Sequence, residues 1–108
     1  MAYDEVLAGR VRDLLAAAGA VTEKKMFGGL AFLTDGNMTV GVRGDDLIVR
    51  LDPAAGDQAL AQAGVRPFDI APRPMPGWIM VAGERLDDKD LKAWVKQARA
   101  YVATLPPK

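Results

Sequence analysis

Lys24 and Lys25 stand just ahead of Gly28 and Gly29, a grouping that could hold an anion. Glycine backbone amides would supply donors and the ammonium groups would supply charge. The spacing is not that of a P-loop or a dinucleotide fingerprint. The commoner reason for such a glycine pair is a bulge or a tight bend opening a strand. Arg50, Arg66, Arg73 and Arg85 could clamp a carboxylate or phosphate if the fold gathers them, because guanidinium binds such oxyanions two-pronged. Separate surface pairs with Asp45, Asp46, Asp52 and Asp69 are the plainer arrangement. Asp45-Asp46 and Asp87, Asp88 and Asp90 sit at a turn and a helix start, where aspartate is expected anyway. Neither group has the spacing of a calcium loop, so no metal is expected. Lys89, Lys92, Lys96 and Arg99 form a basic ridge that could touch nucleic acid, although a charged ridge is more often a solvated helix face.

The residues that are missing narrow the chemistry further. The 108 residues include no histidine and no cysteine. Thiolate nucleophiles, disulfides, Ser-His-Asp triads and imidazole or thiolate metal sites within this chain are therefore excluded. Carboxylates and arginine remain available for acid–base work, but no paired-carboxylate geometry can be argued from spacing. Lys plus Arg is 14 and Asp plus Glu is 14, so the formal net charge is zero. That disfavours the broad positive field of a non-specific nucleic-acid binder. Half of the residues are hydrophobic, which suits one globular domain spanning 1–108. Residues 1–15 carry Asp4, Glu5, Arg10, Arg12 and Asp13, unlike a secretory leader, and no apolar run reaches the roughly 18 residues of a membrane helix. The expected location is the bacterial cytoplasm.

The elements that must position these residues follow from periodicity. Tyr3, Leu7, Val11, Leu14, Leu15 and Ala18 form one helical stripe, with Asp4 and Glu5 in the first turn and Gly19 as the stop. Residues 21–27 make a candidate edge strand. Residues 30–34, 38–42 and 47–51 form a meander, with Asp35-Gly36 as a hairpin turn that needs positive φ at both positions. Asp52-Pro53 opens a short helix over 54–63 with Leu60 and Ala63 on its apolar side. Residues 65–77 hold prolines at 67, 72, 74 and 76 and read as a crossing loop anchored by Phe68, Ile70 and Met75. A strand over 78–82 follows. A last helix starts at Asp87 or Asp88 and carries Leu91, Trp94, Val95, Ala98, Val102 and Leu105 as its stripe. The predicted fold is α+β: an antiparallel meander with N- and C-terminal helices and a short middle helix.

Hairpin register assigns the faces. An uninterrupted ladder from Thr34 opposite Asn37 places Phe32 opposite Thr39 and Leu30 opposite Gly41. Ala31, Leu33, Met38, Val40, Val42, Leu47, Val49 and Leu51 then share the core face. Leu30, Phe32 and Ile48 fall on the second face, which predicts either an interface there or cover from a helix of the same chain. Trp94 lies on a helical stripe and reads as core. Trp78 follows the proline-rich stretch and is a candidate interface residue.

The run Glu23-Lys24-Lys25-Met26-Phe27-Gly28-Gly29-Leu30-Ala31-Phe32 resembles the opening signature of the TfoX (Sxy) N-terminal domain family. Asp35-Gly36-Asn37-Met38, Asp45-Asp46-Leu47-Ile48-Val49-Arg50, Arg73-Pro74-Met75-Pro76-Gly77-Trp78, and Leu91 with Trp94-Val95 extend the resemblance over nearly the whole chain. It implies a compact α+β domain of a regulator linked to natural competence in some bacteria. Longer members carry a second helical domain, so this chain reads as a stand-alone single-domain member. The family supplies no catalytic residues to map.

The expected function is therefore a non-enzymatic regulatory or protein-interaction domain, as a homodimer or with another protein partner, through Leu30, Phe32, Ile48 and Trp78. An alternative is a small-molecule or anion-binding module using Lys24, Lys25, Gly28, Gly29, Arg50 and Arg73. A third reading is an enzyme working without His or Cys. No cofactor, no membrane and no nucleic acid are expected as partners of this chain alone.

Overall fold

The computed structural model describes residues 3–17, 21–26, 28–68 and 77–106. The first helix, α1 (Glu5–Ala16), is capped by Asp4, whose carboxylate accepts from the Val6 and Leu7 amides. Tyr3 lies just outside the helix and forms a bridge to Gly44. The strands are β1 (Thr22–Met26), β2 (Gly29–Thr34), β3 (Asn37–Arg43), β4 (Asp46–Arg50), β5 (Val65–Pro67) and β6 (Trp78–Val81). Helices α2 (Pro53–Ala59) and α3 (Asp88–Val102) complete the chain, with a short 3-10 turn at Gly83–Arg85. Among the described residues the strands form one antiparallel sheet in the order β1-β2-β3-β4-β6-β5. The α+β class follows.

Asp35 and Gly36 both have positive φ, as the β2–β3 turn requires. From Thr34–Asn37 and Leu33–Met38 the ladder begins as expected and then slips by one residue. Phe32 pairs with Val40 and Leu30 with Val42, so Thr39 is the extra residue of a β-bulge. Thr39 is fully buried and its hydroxyl lies 3.2 Å from that of Thr34. The bulge corrects the predicted faces. Leu30 and Phe32 join Val40, Val42, Leu47, Val49, Ile79 and Val81 beneath the helices. Ala31, Met38 and Ile48 instead form a second, smaller cluster with Phe68 and Met80, beside Leu33 and Trp78. β3 and β4 pair as a two-residue turn at Gly44-Asp45 requires, with Val40 opposite Val49 and Gly41 opposite Ile48.

The main core lies between this sheet and the two long helices. Leu7, Val11 and Leu15 of α1 meet Leu91, Trp94, Val95 and Ala98 of α3 over the sheet. Trp94 is core, as its stripe predicts. Asp87 caps α3 by accepting from the Asp90 amide at 2.8 Å. Arg10 ties the helices together by donating to the Leu86 carbonyl (2.7 Å) and the Asp88 carboxylate (3.1 Å).

Two further expectations change. The middle helix stops at Ala59, and its buried side carries Gly56 and Ala59, while Leu60 and Ala63 are exposed. Gly56 packs against the backbone of Gly77, so close that a Cβ would sit 2.7 Å from the Gly77 Cα, which turns that side inward. Residues 65–67 are not loop but the edge strand β5, where Pro67 closes the strand at the sheet margin. The edge strand expected at 21–27 is present as β1. Ala18, Gly19, Ile70, Arg73 and Met75 lie outside the described residues. No described helix is long and apolar enough to cross a membrane.

The bulge makes neighbouring side chains unequal. Phe32→Ala removes a fully buried ring and is expected to cost about 3–5 kcal/mol of stability. Leu33→Ala, at a half-buried site, is expected to cost about 1–2 kcal/mol. Urea unfolding of the two variants measures the order, which an unbulged ladder would reverse.

Candidate functional site

The lysine–glycine grouping does not assemble into an anion cradle. Side chains alternate along β1, so Lys24, opposite Ala31, and Lys25, opposite Leu30, project to opposite faces of the sheet margin. Gly28 takes a left-handed φ of 72° and closes the β1–β2 connection. Gly29 is held against the Val42 carbonyl so tightly that no Cβ fits there. Both glycines are thus explained by backbone geometry. The hollow beside Gly28, about 590 Å³ and open to solvent, is bounded by Arg43, Gly44, Asp46, Arg66, Pro67 and Met80. Arg66 is already bound to the Asp46 carboxylate.

The described arginines, Arg50, Arg66 and Arg85, do not converge either. Arg66 reaches across from β5 to Asp46 at the start of β4, Arg50 ends β4, and Arg85 stands in the 3-10 turn against Gly64. Of the interface candidates, Leu30 and Phe32 are covered by helices and offer no surface. Ile48 is buried in the second cluster. Trp78 alone remains half-exposed, with its ring 6.2 Å from that of Phe68.

Two arrangements do bring candidate residues together. One is at the far end of β4, where Arg50 stacks on Trp78. The other is a groove of about 510 Å³ between α1 and α3. Its floor is Leu14, Ala17 and Val95, and its rim carries Asp13 from α1 and Lys92, Lys96 and Arg99 from α3. Those cations recur at four- and three-residue spacing, which places them along one helix face. The ridge was visible in the sequence. Its position beside an apolar trough was not, because the trough exists only where α1 packs on α3.

Among the described residues no group of three or more acidic side chains is placed to hold a metal ion. Arg12 and Glu23 form a two-pronged pair, both contacts at 2.6 Å, between α1 and β1. The hydrogen bonds from Arg12 hold the Glu23 carboxyl below its ordinary range, and Glu23 in turn raises Arg12.

The matched family is the TfoX N-terminal domain, over residues 13–101. This chain belongs to that family. The match runs from the last turns of α1 through every strand to the last turn of α3, so it contains the groove, Arg50, Trp78 and Tyr101. No curated protein and no solved structure gives a significant match.

The Arg12–Glu23 pair sets a pH dependence. The Glu23 pKa is lowered on folding, so its stabilisation is present above the unfolded value near 4.5 and fades as pH falls through the lower folded value. Both side chains are substantially exposed, so Glu23→Gln is expected to cost about 0.3–1 kcal/mol at pH 7. The difference from the parent should shrink in urea titrations as the pH is taken below 4.5.

Proposed function

We propose that this TfoX N-terminal domain is a non-catalytic regulatory domain of the bacterial cytoplasm, acting by contact with a protein partner. The observation that carries this reading is the α1–α3 groove. An apolar floor gives a partner something to bury, and Lys92, Lys96 and Arg99 give it something to pair with. Among the described residues none of the three cations is engaged in an ion pair. The surface that fits is an acidic amphipathic helix lying in the groove. Family membership supports a regulatory role, and the resemblance to competence regulators supports control of gene expression through such a contact.

The three cations point to solvent, so Lys92→Gln, Lys96→Gln and Arg99→Gln combined should leave the fold intact, with a melting temperature within a few degrees of the parent. In a host whose own copy is deleted, the parent chain is expected to restore the altered transcript profile and the triple variant is not. Full restoration by the folded triple variant rejects the groove as the contact. Sedimentation of the parent, alone and with its partner, separates self-association from binding to a different protein.

A further inference from the structure

The second arrangement lies on another side of α3 and is independent of the groove. Arg50 is the last residue of β4 and pairs with Trp78, the first of β6. Its guanidinium carbon is 5.1 Å from the centre of the Trp78 ring and 5.8 Å from the centre of the Tyr101 ring in the last turn of α3. Both distances fall within the roughly 6 Å range of cation–π attraction. Three elements therefore meet around one cation.

Arg50 differs from the other arginines engaged by this fold. Arg10, Arg12 and Arg66 each hold a carboxylate. Among the described residues nothing accepts a hydrogen bond from Arg50, and no carboxylate pairs with it. The side chain is half-buried, yet no buried side-chain nitrogen lacks a partner. The unpaired N–H groups of Arg50 must therefore reach solvent. Two rings restrain the guanidinium while its edge stays free, so less side-chain freedom is lost when a ligand arrives.

The geometry points to a carboxylate-binding site at Arg50, walled by Trp78 and Tyr101. An aromatic-flanked guanidinium presents an edge of parallel N–H donors, which a planar carboxylate matches with two oxygens. One cation balances one negative charge. Phosphate can accept the same fork, but one arginine balances only half the charge of its dianion. The carboxylate could belong to a polypeptide C-terminus or to a free small acid. The recognition chemistry is the same for both.

The test uses the whole chain labelled with ¹⁵N. The Arg50 Nε–Hε and Trp78 indole signals are followed at constant ionic strength with three probes: N-acetylglycine, N-acetylglycinamide and inorganic phosphate. A saturable shift of both signals with N-acetylglycine, little or none with the amide, and weaker binding of phosphate are expected. Arg50→Lys keeps the charge but loses the fork, and should weaken binding about tenfold. Tyr101→Leu removes one wall at a half-exposed position and should weaken it several-fold even if Arg50→Lys fails to fold. A longer peptide ending in the same free carboxylate binding more tightly than N-acetylglycine identifies the polypeptide source; equal binding identifies the free acid. No saturable shift, equal response to the amide, or tighter binding of phosphate would overturn the proposal and leave Arg50 as a clamp joining β4, β6 and α3.

Discussion

One inserted residue organises the sheet. Thr39 sits in β3 with no partner across β2, and every residue of β2 takes its face from that insertion. Without it, Phe32 and Leu30 would turn away from α1 and α3, and the helices would meet Ala31 and Leu33 instead. With it, the larger side chains fill the space under the helices, and the smaller Ala31 lies on the opposite face near Gly41, Ile48 and Met80. The bulge is stabilised locally: the Thr39 hydroxyl, fully buried, has the Thr34 hydroxyl as its partner. Leaving it unpaired would cost on the order of 1–3 kcal/mol.

The sheet is consequently apolar on both faces, though unequally. The helix side carries the main core. The other side carries a small cluster in which Phe68, arriving from the end of β5, packs with Met38, Ile48 and Met80. Gly41 belongs to this economy of space. A Cβ there would meet the Met38 methyl at 2.8 Å and the Leu30 carbonyl oxygen at 3.0 Å. Close backbone approach at one position thus allows a flexible methionine to fill the gap above it.

The charges balance in number but not in place. Arg10, Arg12 and Arg66 are spent on tying elements together: α1 to the start of α3, α1 to β1, and β5 to β4. Such exposed pairs add modest stability and mainly fix orientation. Lys92, Lys96, Arg99 and Arg50 stand outside this set. A chain with zero net charge therefore still presents local positive surface.

Much of the architecture was written in local signals. Asp52 and Asp87 announce helix starts because their carboxylates accept from free amides at those positions, and Asp35-Gly36 announces its hairpin because both residues tolerate positive φ; Asp4, expected in the first turn, is instead the cap of α1. The stripe from Leu91 to Val102 followed from period, the β3–β4 register from a two-residue turn at Gly44-Asp45, and the Met-Phe-Gly-Gly run with the hairpin spaced after it carried the family resemblance. The bulge did not follow, because Leu30, Ala31, Phe32 and Leu33 are all apolar and either register buries hydrophobic surface. The short strand β5 was hidden by its proline, which edge pairing tolerates. For the candidate sites, sequence supplied the cations but not their surroundings. Arg50 is far from both Trp78 and Tyr101 along the chain, and only the β4–β6 ladder and the docking of α3 bring one charge between two rings. Residue types and local geometry are properties of neighbours in sequence, whereas which arginine stays unpaired depends on where every carboxylate comes to rest.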